Sequence, residues 1–312
     1  MPTLPMVHPF NIRKRESLDN SILSSHGRCN ALSLYNYHLN RAGRSENFPI
    51  NFGVHYHAFR ETLERLYIQW CITEGKELSK MTGLLYEVAF ATASKDWVDP
   101  PIEHKKGYLD LGRFRKSCEE AFESWVGEKN RGIFKVIGTE TTFGLPLPSG
   151  RIFSGTLDQV VEWNNRLWVR DFKTVGRKED WHEKYNPEHQ FTGYVWAAQI
   201  LSGRKIEGTI VDVVYNIKTK GPEFHPTLAN RSTGDIELWL EWVESEYDSY
   251  EKCVKTGIWP MRTTACGDYG GCFFRACCNE GSWPSIQQWL LDKTVESFWD
   301  PMNRDREEGL PE

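Results

Sequence analysis

Apolar residues recur three and four positions apart over 18–40, 56–73, 79–97, 110–128, 186–202 and 233–257, the spacing that turns one face of an α-helix toward a core, so each stretch is expected to be helical. Between 134 and 219 the period changes. FKVIGTETTFGLPL (134–147), RIFSGTLDQVVEW (151–163), RLWVRDFKTV (166–175) and GTIVDVVYNIKT (208–219) are rich in β-branched and aromatic residues and read as strands, with the 186–202 helix between the third and the fourth. Asn164 and Asn165 separate the second and third strands, and Asn tolerates the positive φ angles that a two-residue type I′ hairpin requires. Helices, three antiparallel strands, a helix and a further strand predict an α+β or α/β fold built on a mixed central sheet flanked by helices. No linker or repeat divides the chain, so a single domain over 1–312 is expected: a helical N-terminal region (18–130), a sheet core (131–220), a helix with a cysteine cluster (221–285), and a last helix and tail (286–312). The end of the chain, DPMNRDREEGLPE, is polar throughout and is expected to fray.

The hairpin carries the chemistry. With Trp163 facing Arg166, the register pairs Glu162 with Leu167, Val160 with Val169 and Asp158 with Asp171. Asp171 and Lys173 are two residues apart and share a face, so two carboxylates and an amine converge where strict alternation calls for Leu or Val. Opposed like charges destabilise a sheet, and burying them adds several kcal/mol unless a cation sits between them. Mg²⁺ and Mn²⁺ answer that need, because they take carboxylate oxygens and retain waters, which leaves positions for a phosphate and a nucleophile. Lys173 is then placed to hold an attacking water or to meet charge developing on the phosphate. A solvated strand face with a surface ion pair is the ordinary reading of an isolated D-x-K, and the facing Asp158 weighs against it.

The net charge of -5 neither requires nor excludes a nucleic-acid partner, since such contacts are made by local patches. No apolar run approaches a membrane span and MPTLPMVHPFNIRKRE lacks the apolar segment of a secretory signal, so a cytoplasmic protein without a membrane partner is expected. In that compartment eight cysteines read as thiols or metal ligands. Cys71, Cys118 and Cys253 sit singly in helical patterns as core thiols, whereas Cys266, Cys272, Cys277 and Cys278 crowd into CGDYGGCFFRACC. Trp163, Trp168, Trp181, Tyr185 and Trp196 are interleaved with Arg166, Arg170, Lys173, Arg177, Lys178 and Lys184, a mixture that suits single-stranded DNA, although for any one Trp packing into the core is the better reading. The polar stretch VGRKEDWHEKYNPEHQ reads as a substrate-contacting loop.

Taken together, GTLD with Asp158, DFKT with Asp171 and Lys173, QFTGY with Gln190 and Tyr194, and FGVHYHAF with Gly53 and His57 resemble in order and spacing the RecB-type branch of the PD-(D/E)XK nuclease superfamily. The resemblance implies a restriction-endonuclease-like core in which Asp158 and Asp171 bind the catalytic Mg²⁺ or Mn²⁺ and the Phe172 carbonyl is a further ligand. It implies that Lys173 orients the nucleophilic water and that His57 holds a metal or the substrate phosphate. Gln190 and Tyr194, one helical turn apart, would contact the nucleic-acid backbone. His55 is a rival to His57, and Glu140 is a candidate further acid. Several such nucleases have one cysteine before the core and three after it, together ligating a [4Fe-4S] cluster. Cys29 in SSHGRCNALSLYNY and Cys266, Cys272 and Cys278 match that arrangement. Five residues separate Cys266 from Cys272 where the family more often has two, and Cys277 stands beside Cys278 as an alternative last ligand. Structural Zn²⁺ is the competing occupant, although no C-x-x-C knuckle is present. The expected activity is that of a Mg²⁺- or Mn²⁺-dependent deoxyribonuclease, an exonuclease acting on single-stranded DNA or DNA ends in phage recombination, CRISPR adaptation or DNA repair. A catalytically idle relative that binds nucleic acid or a partner, and an unrelated hydrolase with two aspartates on a hairpin, are the alternatives. No G-x-x-x-x-G-K-[ST] motif occurs, so unwinding would fall to a separate helicase or recombination protein.

Overall fold

The structure is a computed structural model and describes residues 12, 14–44, 48–100, 109–176, 181–216, 222–300 and 302. In chain order it begins with β1 (Ser17–Asp19), α1 (Asn20–Arg28), α2 (Asn30–Ser33) with a π-helical turn at Leu34–His38, and β2 (Arg41–Gly43). There follow α3 (Phe48–Tyr67) with a π-helical turn at Ile68–Thr73, α4 (Leu78–Ser94) and α5 (Leu111–Arg131). The strands β3 (Lys135–Pro146), β4 (Ile152–Trp163) and β5 (Arg166–Val175) come next, then α6 (Trp181–Tyr185), α7 (His189–Ser202), β6 (Ile206–Tyr215) and β7 (Glu223–Asn230). The chain closes with α8 (Thr233–Thr256), a 3-10 segment at Thr263–Gly270, α9 (Arg275–Cys278), α10 (Trp283–Lys293) and β8 (Thr294–Glu296). Two compact units result: Met1–Glu46 with Thr142–Thr156 and Ile236–Glu312, and Asn47–Thr141 with Leu157–Asp235.

The second unit holds the sheet order β4-β5-β6-β7, with β3 beside β4. β4 and β5 form the expected antiparallel hairpin, running from Trp163↔Arg166 to Gln159↔Arg170, and Asn164 and Asn165 both take positive φ (49° and 59°). β6 runs parallel to β5 and carries one extra residue opposite Leu167–Val169. Gly208 absorbs the bulge, since a Cβ there would lie 2.3 Å from the Ala229 carbonyl oxygen. α3, α4 and α5 cover one face of this sheet. Phe52, Tyr56, Phe59, Leu85, Phe90, Phe114 and Trp125 pack with Phe172 and Val214 there. On the other face Phe191 of α7 and Tyr185 of α6 meet Val211, Val213 and Tyr215. α5 shows why these residues form a helix: Asp110 caps its start by accepting from the Arg113 N–H at 2.8 Å, Gly132 ends it in the left-handed conformation, and Phe114, Cys118, Ala121 and Trp125 make its buried stripe.

In the first unit β1 pairs in parallel with Ile152–Ser154 at the start of β4, and β2 pairs antiparallel with β8. Trp239, Val243, Tyr247, Tyr250 and Cys253 form the buried stripe of α8, with Phe153 edge-on to Trp239 at 5.0 Å.

Several expectations are corrected. β7 is a strand that periodicity misses: EFHPTLAN contains Pro226, which the sheet accepts because β7 lies at the end of the strand order. β6 ends at Tyr215 instead of 219, and residues 217–219 lie outside the described part. The polar stretch after β5 includes the short helix α6, while Arg177, Lys178 and the tail 303–312 lie outside the described residues. Cys118 and Cys253 are buried, but Cys71 is only half-buried. Among the described residues no helix is long and apolar enough to cross a membrane.

Candidate functional site

β4 pairs with β5 only from Gln159 onward, and Asp158 is the residue where that ladder stops. Its carboxylate takes over the role of a strand carbonyl: Oδ2 accepts the Phe172 N–H at 3.0 Å. Thr139 of β3 donates its hydroxyl to the Asp158 carbonyl at 3.2 Å. One residue before Phe172, Asp171 meets Lys173, with Nζ 2.8 Å from Oδ2, as residues sharing a strand face should. The acids are 4% and 1% exposed. The hairpin therefore brings Asp158, Asp171 and Lys173 into one cluster in which both acids are buried and the lysine is half-buried, although the ladder ends one pair short of the expected Asp158–Asp171 opposition.

α3 supplies the fourth member. Gly53 lets this helix lie close to β5, since a Cβ there would stand 3.1 Å from the Thr174 hydroxyl. One turn later His57 Nδ1 is 3.2 Å from Asp158 Oδ2. His55 is elsewhere: its Nδ1 bonds the Ala93 carbonyl at 2.6 Å and its ring lies against Trp97, so it serves packing. On α7 the Gln190 Nε2 donates to Tyr194 Oη at 3.0 Å, and Phe191 between them lies under the Lys173 ammonium at 5.6 Å. Glu140 stands next to Thr139 in β3 with φ of 47°, an irregular strand position.

Electrostatics separates the two acids. For Asp171, burial and then the charge of Asp158 outweigh the opposing pull of Lys173 and raise the carboxyl to about 6. Burial acts on Asp158 too, but the charge and hydrogen bond of His57, then Lys173 and the Phe172 N–H, hold it below its ordinary value. Burial would lower His57, yet Asp158 raises it, a pairing partly screened because 30% of the side chain stays exposed. Lys173 is raised by Asp171 and Asp158 against the effect of burial. One amine and a shared imidazole thus leave a pair of buried carboxylates short of positive charge. That donor set, two hard oxygens with the Phe172 carbonyl between Asp171 and Lys173, fits Mg²⁺ or Mn²⁺ in type. Among the described residues no three His, Cys, Asp or Glu side chains are gathered as a finished metal cage.

A family model of the PD-(D/E)XK nuclease superfamily matches residues 21–279. The chain belongs to that superfamily. It is a nuclease, in a family of phosphodiester hydrolases, and its mixed sheet flanked by helices is the restriction-endonuclease-like fold of that family. The crystal structure of a "Putative exonuclease" from Eubacterium rectale is 12% identical, covers 86% of this chain and 88% of that one, and superposes with a TM-score of 0.52. A second solved structure, SSO0001, is 11% identical over 80% of this chain and 87% of its own, with a TM-score of 0.31, too loose to bear on the fold. No curated protein matches.

Among the described residues of this nuclease no three cysteines are gathered to hold a metal ion, although Cys29, Cys266, Cys272 and Cys278 of the first unit interact electrostatically. Cys278 feels the charges of Cys29, Cys272 and Cys266, and Cys272 those of Cys266 and Cys29. Cys277, fully buried, has Cys278 and Cys272 as its sulfur neighbours. Backbone bonds from Cys272 N–H to the Cys266 carbonyl (2.9 Å) and from Cys278 N–H to the Phe274 carbonyl (3.0 Å) shape the late loop, and the Arg262 N–H donates to Cys29 Sγ at 3.4 Å. The described cysteines form no disulfide.

One expectation about substrate contact is corrected. Arg170 is buried: its guanidinium donates to both oxygens of Glu128 at 2.9 and 3.0 Å and to Asp212 at 2.6 Å, and so offers nothing to DNA. Trp168, Tyr185 and Trp196 are buried as well, and Trp163 packs on Trp168 and Phe134, so these rings fill the core instead of forming an open platform. Sequence reasoning missed what Arg170 does. With Arg60, whose guanidinium is 4.5 Å from the Phe172 ring, it clamps the far side of the segment that carries Asp171 and Lys173. Its one signal was an arginine between two apolar residues of the same strand alternation, Trp168 and Phe172.

Proposed function

We propose that this nuclease hydrolyses phosphodiester bonds of DNA as a Mg²⁺- or Mn²⁺-dependent exonuclease acting on single strands or ends. The observation that carries the reading is the pair of buried acids Asp158 and Asp171 with Lys173 on Asp171 and His57 on Asp158. Asp158, Asp171 and the Phe172 carbonyl would hold the ion, and a bound ion would polarise the phosphate and make a water more acidic. The other roles belong to the chain. Lys173 keeps its proton through the neutral range, because its pKa is raised, so it acts as a charge and hydrogen-bond donor toward water and phosphate and not as a base. His57 fixes the Asp158 carboxylate. The exposed faces of Gln190 and Tyr194 would take the DNA backbone. Cys29, Cys266, Cys272 and Cys278 would hold a structural [4Fe-4S] cluster, for which thiolates are the usual ligands.

The test is digestion of end-labelled single- and double-stranded DNA by anaerobically purified protein in Mg²⁺, Mn²⁺ or EDTA, with Asp171→Ala and Lys173→Ala alongside. Products that accumulate from one end in metal, and neither in EDTA nor with the variants, are expected. Intact DNA under every metal condition defeats the proposal and favours a binding-only relative.

A further inference from the structure

We propose that Arg60 is a positioning residue of the candidate site: its guanidinium, stacked on the Phe172 ring, seats α3 on β5 so that His57 meets Asp158, at a cost in stability. The consequence for the reaction rests on the nuclease reading above. α3 approaches β5 closely at two points about two helical turns apart. At the first, a Cβ on Gly53 would stand 3.1 Å from the Thr174 hydroxyl; at the second, the Arg60 guanidinium lies 4.5 Å from the centre of the Phe172 ring. His57 sits between them, three residues before Arg60 and so on the same side of the helix, with its ring edge-on to Phe172 at 6.2 Å. The contacts close a circuit. The Phe172 N–H donates to Asp158 Oδ2 at 3.0 Å, His57 Nδ1 lies 3.2 Å from the same oxygen, and the helix returns from His57 to Arg60 and the ring. A shift of Phe172 beneath α3 therefore moves both partners of the Asp158 carboxylate at once.

Folding alone does not account for Arg60. Its side chain is buried, at 5% exposure, and among the described residues it makes one long hydrogen bond, from Nη1 to the Ala121 carbonyl at 3.4 Å. Nη2 is buried with no hydrogen-bond partner, and no described carboxylate pairs with the group. Arg170, on the same ring at 5.4 Å, is the contrast: Glu128 and Asp212 both bind it. A buried cation without an acid is expensive, and an apolar side chain of similar length is often as stable or more so. A cation held over an aromatic face out of water recovers part of that cost and fixes the ring in place. The two arginines thus divide the work: Arg170 holds the fold together, and Arg60 gives up stability for the geometry of the site.

The test uses the full chain and three readouts: urea unfolding and backbone amide exchange, both in EDTA, and digestion of end-labelled DNA in Mg²⁺ or Mn²⁺. Arg60→Met is expected to unfold at the wild-type urea concentration or above it. Its Phe172 N–H should exchange about tenfold faster, the scale of one desolvated cation–π contact, while the amides of β6 and β7 keep their rates. Its kcat should fall about tenfold at an unchanged KM for DNA. Arg60→Lys keeps a charge over the ring and should fall between wild type and Arg60→Met; it decides the matter by the same readouts if the Met variant does not fold. A lower urea midpoint with uniformly faster exchange makes Arg60 an ordinary core residue and overturns the proposal. Unchanged exchange at Phe172 overturns it too, as does an unchanged kcat in a variant whose Phe172 amide is loosened. Wild-type protein that digests no DNA in either metal defeats the nuclease reading and the kinetic role with it, a failure distinct from the others because exchange is measured without metal or DNA.

Discussion

Asp171 is the residue at which removing a charge should stabilise the fold while destroying the activity. Asp171→Asn keeps the shape and removes the carboxylate. Burial, and after Lys173 the charge of Asp158, place this carboxyl at about 6, against an ordinary value of 3.8 that the unfolded chain retains. Because the folded value is the higher one, the stability associated with protonated Asp171 is complete below pH 3.8 and is lost as pH rises through about 6. At about 1.36 kcal/mol per pH unit, that gap amounts to about 3 kcal/mol by pH 8. Screening takes little from it, because the side chain is 1% exposed. Urea unfolding in EDTA from pH 5 to 8 reads the effect: wild type should weaken more across the window than Asp171→Asn, and the variant should end about 3 kcal/mol more stable at pH 8. His57 titrates nearby, and its raised pKa contributes stability lost as pH rises above 6.5, but it does so in both proteins and largely cancels in the difference. Mg²⁺ at about a hundred times its Kd should return about 2.7 kcal/mol to the wild type and little to the variant. A variant less stable than wild type at pH 8 in EDTA would refute the reasoning, since the Lys173 ion pair would then outweigh the desolvation of Asp171.

Three further outcomes are expected. Lys173→Ala should lower kcat by about 10²- to 10³-fold with DNA affinity, measured in Ca²⁺, nearly unchanged, as fits a donor needed mainly when charge develops on the phosphate. Arg170→Met leaves Glu128 and Asp212 without their shared cation and should destabilise the protein by about 3 kcal/mol in urea titration, the lower end for a broken buried pair because both acids are partly exposed. Asn165→Ala forces a Cβ-branched-free but L-restricted residue to φ 59° and should cost about 1–2 kcal/mol, whereas Asn165→Gly should be close to neutral in the same melts.

The candidate site was legible in the sequence to the extent that local rules decide geometry. Two Asn residues between two strands leave one short turn, the turn sets the register, and the register carries Asp158 just past the last pair, Gln159↔Arg170, where the expected pairing with Asp171 gives way to a side-chain bond to the Phe172 N–H. The choice between His55 and His57 was not legible, because both lie on α3 and only the neighbours of that helix, Ala93 on one side and Asp158 on the other, separate them. Arg170 was misread for the same kind of reason: its partners Glu128 and Asp212 are both 42 residues away, one on each side in the chain. β7 escaped because Pro226 contradicts its alternation and only a position at the end of the sheet makes that proline tolerable. For the rings around the hairpin core packing is the better reading of each Trp, and tertiary packing buries Trp168 and Trp196.

The two acids, alike in sequence, are made unlike by what the backbone offers each. Asp158 stands where β4 leaves β5, so a main-chain N–H is left without a strand carbonyl and the carboxylate accepts it, while His57 approaches the same oxygen. Both contacts favour the ionised form, and Asp158 is a ready anion across the neutral range. Asp171 lies within the continuing β5–β6 ladder, where the main-chain groups pair with one another and the side chain has chiefly Lys173, with a smaller contribution from His57, to set against burial and a neighbouring charge. Its ionisation is therefore the unfavourable event that a bound cation would relieve. On the proposed metal-dependent reading, the same asymmetry that keeps Asp158 ionised would make Asp171 the acid through which cation binding and folding stability are linked.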